Sequence, residues 1–165
     1  MEPKTVRADA GQLPARHIDS HKASNALVAG TVVLTRDGAL PVEYLNPGDR
    51  VITRDSGTAL LRAVLRLRQT RDLVAIRAGS LGSTRPDRDT LLPATQEILI
   101  RDWRAEALFG ASRALVPAFR LVDGDFVRAA GRHEVETIAL VFDSPHILYA
   151  DGLELASTQP EPAMA

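Results

Sequence analysis

The sequence predicts an all-β domain with one short helix, and three observations carry that expectation. From Gly30 onward, apolar runs of a few residues are separated by turn signals at roughly eight- to twelve-residue intervals, the spacing of an all-β domain. Aromatic residues make up only 4% of the chain, so core volume has to come from its Val, Leu and Ile runs, which suits a strand-rich interior. The 165 residues suffice for one domain with a sizeable core, and with no cysteine that core is built without disulfides.

Residues 1–25 are polar and mixed, with Pro3, Gly11 and Pro14 interrupting any periodicity, and read as a flexible leader. The segment lacks the continuous apolar core of a signal peptide, and no window approaches the roughly 18 apolar residues that span a bilayer, so the chain reads as soluble. The first strand is Thr31-Val32-Val33-Leu34-Thr35, closed by an Arg36-Asp37-Gly38 turn. Val42 and Leu45, three apart, predict one helical turn with its apolar side on the core. In Asn46-Pro47-Gly48-Asp49, Pro fixes φ at the second turn position and Gly supplies a positive φ at the third, with Asp49 expected to order the turn by binding backbone amides.

Arg50 to Thr53 leaves that turn as a strand. Ala59 to Arg68 alternates, with Leu61, Ala63, Leu65 and Leu67 on one side and Arg62, Arg66 and Arg68 on the other, predicting a half-buried strand. Leu73 to Gly79 is a further strand, and Gly79 to Asp89 a surface loop. Leu91-Leu92 and Ile98 to Ile100 flank a kink from Pro93 to Glu97. Trp103 to Phe109 predicts the helix, with Trp103, Ala107 and Leu108 inward. Strands follow at Ala114 to Val116, Phe126 to Arg128, Val135 to Phe142 and Ile147 to Ala150. The last of these ends at Asp151-Gly152, and residues 159–165 read as a disordered tail.

Charge excludes several function classes. Twenty Lys and Arg stand against 21 Asp and Glu, a net charge of −1, so no basic field draws nucleic acid or an anionic membrane. The row of Arg62, Arg66 and Arg68, extended by Arg71, Arg77, Arg85 and Arg88, is interspersed with Asp72, Asp87 and Asp89 and reads as a solvated face. Gly79-Ser80-Leu81-Gly82 lacks the following helix and Lys of a phosphate cradle. His17 and His21 have the i,i+4 spacing of metal ligands but no helical pattern and no third ligand nearby, so no metal and no cofactor is expected.

The stretch from Ala26 to Thr53, with its Gly30-Thr31 step, strand, Gly turn and Val42 to Val51 phrase containing Leu45, Pro47, Gly48 and Asp49, resembles the opening of a Hedgehog/intein (Hint) domain. Ile76 to Gly82, Arg88 to Leu92, Leu115 to Ala118 and Phe142 to Gly152 resemble further phrases of the bacterial branch of that family, in the family's order. The resemblance spans roughly residues 26–158, which we take as the Hint-type domain. It implies a horseshoe-like β fold with internal pseudo-twofold symmetry that, in active members, severs or rearranges the peptide bond at its own N-terminus. Such chemistry needs a nucleophile, an oxyanion donor, a proton donor for the leaving amine and a second nucleophile.

Carried over residue by residue, these parts are depleted. The nucleophile position, Cys or Ser in the family, is Ala26, directly after Asn25. The motif that usually reads Thr or Ser, two residues, then His corresponds to Ala94-Thr95-Gln96-Glu97, with Thr95 the nearest hydroxyl and Glu97 in the place of the imidazole. Glu97 acts as an acid only if burial lifts its pKa well above about 4.3. His146, in Asp143 to Gly152, is the candidate catalytic relic, set against a structural role at the start of a strand. The terminal His-Asn dipeptide of splicing members would fall near Ala156-Ser157 and is absent. Ser24 is too far from the junction to substitute, and His133 is expected to face water. The sequence therefore predicts a catalytically impaired Hint domain acting as a structural or interaction module, its partner its own flanking polypeptide or an unidentified protein or peptide. The alternative is residual self-cleavage at its own N-terminal junction through His146 with Thr95 or Glu97.

Overall fold

The computed structural model describes residues 25–82 and 84–158, and twelve strands, two 3-10 turns and one α-helix lie among them. The strands are β1 (Leu27–Val28), β2 (Val32–Thr35), β3 (Gly38–Pro41), β4 (Arg50–Thr53), β5 (Gly57–Leu60), β6 (Ala63–Ile76), β7 (Thr90–Pro93), β8 (Glu97–Ile100), β9 (Ala114–Pro117), β10 (Val127–Val141), β11 (Ile147–Ala150) and β12 (Leu153–Ala156). The helix, α1, is Trp103–Phe109. All strand pairings are antiparallel, in two sheets. One runs β1-β10-β6-β7; the other runs β3-β2-β4-β11-β12-β8-β9, with β5 attached to β4. Val33, Leu45, Leu92, Ile98, Ile138, Phe142, Leu148, Leu153 and Leu155 are among the fully buried side chains of the core between them.

The predicted turn chemistry holds in detail. The β2–β3 hairpin turns through Arg36-Asp37, with the Thr35 hydroxyl donating to the Gly38 carbonyl at 2.8 Å and accepting from the Asp37 amide at 3.0 Å. Val42 to Tyr44 forms a 3-10 turn that buries Val42, and Leu45 is buried beyond it. Gly48 has φ of 100°, and Asp49 Oδ2 accepts the Asn46 amide at 2.9 Å, as expected for that turn. Asp102 caps α1 by accepting the Arg104 amide, and Gly110 closes it in the left-handed region at φ 68°.

Three expectations about burial and continuity are corrected. The segments read as separate strands at 59–68 and 73–79 are redistributed, with 63–76 forming one continuous strand. Phe126 to Arg128 and Val135 to Phe142 likewise merge into β10, which pairs with β6 along its whole length apart from a bulge at Ala130 beside Gly131. Leu65 and Leu67 are not half-buried inward residues. Each is 52% exposed, and the exposed residues cluster in the middle of the β6–β10 ribbon, ahead of the Leu73 to Ile76 stretch that is buried and paired with β7. In α1 the inward residue is Ala105. Trp103 is 68% exposed with the Arg104 guanidinium 4.8 Å over its ring, Leu108 and Ala107 are exposed, and Phe109 packs on the core edge. Seven residues give barely two turns, so one small residue, Ala105, is buried and Phe109 is partly buried against the core.

Short strands were missed where polar residues interrupt the alternation. β12 reads Leu-Glu-Leu-Ala, yet all four residues are buried. Glu154 is tolerated there because Arg101 grips it with two bonds of 2.9 and 3.2 Å, while Arg54 and Arg85 approach at 3.4 and 3.7 Å. The Gly79 to Asp89 loop is also less superficial than expected, with Leu81 and Pro86 buried. The arginine row is largely engaged: Arg62 with Asp143, Arg66 with the Glu43 carbonyl, Arg71 with Thr95 and Arg88 with Asp151.

Leu155→Ala, at a site with 0% exposure, should cost about 2–5 kcal/mol of unfolding free energy, whereas Leu65→Ala should cost under about 1 kcal/mol. Chemical denaturation of both variants checks the contrast, and comparable losses would mean the ribbon is covered in solution.

Candidate functional site

Asn25 and Ala26 enter β1 from the upstream side, and both are buried, at 5% and 2% exposure. Asn25, grouped with the leader on sequence grounds, is held through both polar atoms of its side chain and through its backbone carbonyl. The Glu97 amide donates to its Oδ1 at 2.9 Å, and its Nδ2 donates to Glu97 Oε1 at 3.0 Å and to the Ser157 carbonyl at 3.2 Å. Its own backbone carbonyl accepts the Thr158 hydroxyl. Glu97 is in position because it begins β8, whose neighbour β12 delivers Ser157 and Thr158 at its end. The Asn25–Ala26 peptide is therefore clamped between the start of one strand and the exit of another.

Ser157 carries the clamp onward to His146. The Ser157 amide donates to the His146 carbonyl at 2.9 Å, and the His146 amide donates to Ser157 Oγ at 3.0 Å. The imidazole is 13% exposed, edge-on to the Phe142 ring at 5.5 Å, and its Nδ1 lies 2.8 Å from Asp55 Oδ2. A carboxylate can only accept, so this contact fixes the proton on Nδ1. Asp55 Oδ1 accepts the Ile147 amide at 3.0 Å, which seats the carboxylate between ring and backbone. Ser56 Oγ and Ser144 Oγ each stand 3.5 Å from a ring nitrogen, at the outer edge of hydrogen-bond range. Partial burial pushes the Asp55 carboxyl up, but the Ile147 amide and the His146 side chain outweigh it and hold the group below the ordinary Asp value.

Of the sequence-derived candidates, Glu97 touches the residue before the Ala26 junction and His146 is connected to it through Ser157. Thr95 is exposed, and its hydroxyl accepts Arg71 Nη2 at 2.9 Å. The turn between β7 and β8 instead sends Gln96 inward. Gln96 is fully buried, its Nε2 donates to the Glu97 and Ala156 carbonyls, both at 2.9 Å, and its Oε1 has no hydrogen-bond partner among the described residues. His133 is exposed as expected, with Nε2 2.8 Å from the Ala130 carbonyl. His17, His21 and Ser24 lie outside the described residues.

Sequence reasoning missed Thr158, Ser157, Asp55 and the Asn25 side chain. Thr158 is 133 residues from its partner, so no local pattern announces the contact. Asp55 had one usable signal, its place in the Arg54 to Gly57 turn, which points a carboxylate toward the strand that follows His146. Among the described residues, no group of three or more His, Asp or Glu side chains is placed to hold a metal ion, and no helix is long and apolar enough to cross a membrane.

Comparison with known proteins bears on this geometry. The family model described as Hint domain matches residues 25–162. The solution structure of a bacterial intein-like domain from Clostridium thermocellum is similar with a TM-score of 0.54 and 16% identity, over 81% of this chain and 98% of that one. A DnaB intein from Synechocystis sp. gives 0.57 and 11%, over 80% and 97%, and the MchDnaB-1 intein 0.54 and 13%, over 80% and 99%. At such identities the structural likeness is one of fold. No curated protein matches the chain.

The pH dependence of stability tests the Asp55 contact. A carboxyl with a lowered folded-state pKa contributes stability that is fully present above its unfolded value near 3.9 and is lost as pH falls through the folded value. Asp55→Asn should therefore destabilise the protein modestly at neutral pH and lose less further stability than the parent below about pH 4. Identical acid limbs in the two unfolding curves would remove the assignment.

Proposed function

Because the chain belongs to the Hint domain family, we propose that it is a self-processing-type domain that has lost the nucleophile-led acyl shift and serves as a module holding its own flanking polypeptide. The observation that carries this reading is the state of the junction. At the position where the chemistry needs a thiol or hydroxyl there is a buried methyl group, Ala26, while the residue before it is gripped at four polar contacts. An alanine side chain has no lone pair with which to attack the Asn25 carbonyl. The clamp, by contrast, is complete, and each neutral hydrogen bond in it contributes about 0.5–1.5 kcal/mol to holding the upstream chain.

Loss of the imidazole at the Glu97 position supports the same reading, since a carboxylate that accepts from Asn25 is engaged in holding. The remaining histidine is likewise tied down, its Nδ1 to Asp55 and its backbone to Ser157. One observation favours a second reading, residual scission at the junction. Glu97 Oε1 lies 3.0 Å from a nitrogen of the residue that would be cut, a position from which a base can take a proton.

The loss of nucleophile-led chemistry is tested by intact mass spectrometry with and without hydroxylamine or an added thiol. Neither reagent should release a fragment ending at residue 25, and release that depends on either would show a reactive ester and overturn the reading. Ala26→Cys together with Ala94→Thr and Glu97→His should restore a hydroxylamine-sensitive junction. A folded triple variant that never becomes sensitive would mean that these positions do not correspond to the family's catalytic ones.

A further inference from the structure

We propose that Asn25 supplies its own nucleophile, its side-chain nitrogen attacking its own backbone carbonyl and releasing Ala26 as a new N-terminus without any thiol or hydroxyl. This inference rests on the second reading above and names its chemistry. An Asn side chain is one bond pattern short of a five-membered ring: when Nδ2 bonds to the backbone carbonyl carbon, the ring closes as a succinimide. Three obstacles normally make that reaction slow, and the contacts around Asn25 meet each of them.

The first obstacle is that an amide nitrogen is a weak nucleophile. Glu97 Oε1, 3.0 Å from Nδ2, is placed to take its proton, and the Glu97 amide at 2.9 Å from Oδ1 draws charge onto that oxygen, making the Nδ2 proton easier to remove. The second is that the carbonyl must accept negative charge. The Thr158 hydroxyl already donates to the Asn25 carbonyl oxygen, where that charge collects as the carbon becomes tetrahedral. The third is that the departing amine needs a proton, which Glu97 holds once it has deprotonated Nδ2. The balance is closed. The Nδ2–C bond forms, the C–N bond to Ala26 breaks, and one proton passes from Nδ2 through Glu97 to the Ala26 nitrogen. No water, metal, oxidant or reductant is consumed.

Burial favours cyclisation over hydrolysis, since Asn25 and Ala26 are both nearly inaccessible to solvent. The 3.2 Å contact from Nδ2 to the Ser157 carbonyl has to break as the ring closes, and it is the longer of the two bonds that Nδ2 donates. On this account Ala26 is no impediment: the attacking atom sits on the other side of the scissile bond.

The experiment is a time course of intact mass for the full chain in neutral buffer over days, with Asn25→Ala, Glu97→Gln and Thr158→Val in parallel and thermal melts to show that each is folded. The expected result is a pair of fragments, residues 1–25 and 26–165, whose masses on first appearance add up to that of the uncut chain with no water gained, the shorter one taking up one water later as its succinimide hydrolyses. Asn25→Ala should abolish the cut, and Glu97→Gln and Thr158→Val should slow it by about tenfold to a hundredfold. Should Asn25→Ala not fold, Asn25→Gln keeps the amide but requires a six-membered ring and should also stay uncut. If the parent remains whole throughout, both self-scission and its mechanism fail. If the fragment ending at residue 25 already carries one added water when it first appears, before a succinimide could hydrolyse, or if the folded Asn25 variant is cut at an undiminished rate, self-scission stands and cyclisation is overturned.

Discussion

The fold depends on a buried carboxylate. Asp151, 6% exposed and at a left-handed φ of 50°, forms the two-residue turn between β11 and β12 with Gly152 at φ 80°. An Asp-Gly pair with both φ positive matches the twist of an antiparallel hairpin. The side chain then reaches both sheets, accepting the Val32 amide of β2 at 3.0 Å, the Thr90 hydroxyl of β7 at 2.6 Å and Arg88 Nε at 3.1 Å. A carboxylate taken out of water without partners costs several kcal/mol, so these three donors are what allow the turn to be buried at all. Gly152 is equally constrained: a Cβ there would stand 2.8 Å from the Asp87 amide nitrogen.

That knot sets the geometry of the junction some distance away. With the hairpin fixed at its turn, the opposite ends of β11 and β12 are fixed too, and those ends carry His146 on one side and Ser157-Thr158 on the other. Ile147 pairs with Ala156, which brings the two flanking residues into the reciprocal contact seen between His146 and Ser157. The hairpin is thus the rod through which sheet-to-sheet packing positions the donors around Asn25. Glu97 arrives independently from β8, so the clamp closes only when β8 and β12 are paired.

Much of this was legible in the sequence where a residue has a local reason to be what it is. Pro47-Gly48, Gly110 and Asp151-Gly152 mark turns or caps through backbone preference alone, and the apolar runs place most strands. Alternation at Leu65 and Leu67 says which residues share a face, but not whether another layer covers that face, and both leucines are 52% exposed. β12 hid behind Glu154, whose burial depends on arginines from three other parts of the chain. The site divides along the same line. The family resemblance located Ala26, Glu97 and His146, all by position in linear phrases. Thr158 and the Asn25 side chain acquire meaning only through a contact across 133 residues, and Gln96 displaces Thr95 from the interior because the turn after β7 rotates the next side chain inward.

The projecting part of the β6–β10 ribbon bears on how this protein behaves at high concentration. From Ala63 to about Arg71, β6 has a described strand neighbour on one side only. An edge of this kind beside exposed Leu65 and Leu67 is a template onto which a second chain can lay a strand. Arg66 and Arg68 alternate with those leucines, so two such edges meeting antiparallel would bring guanidinium groups together on the opposite face. The charges that read as an unremarkable solvated row on the sequence thus work against self-association along an edge with no described strand neighbour.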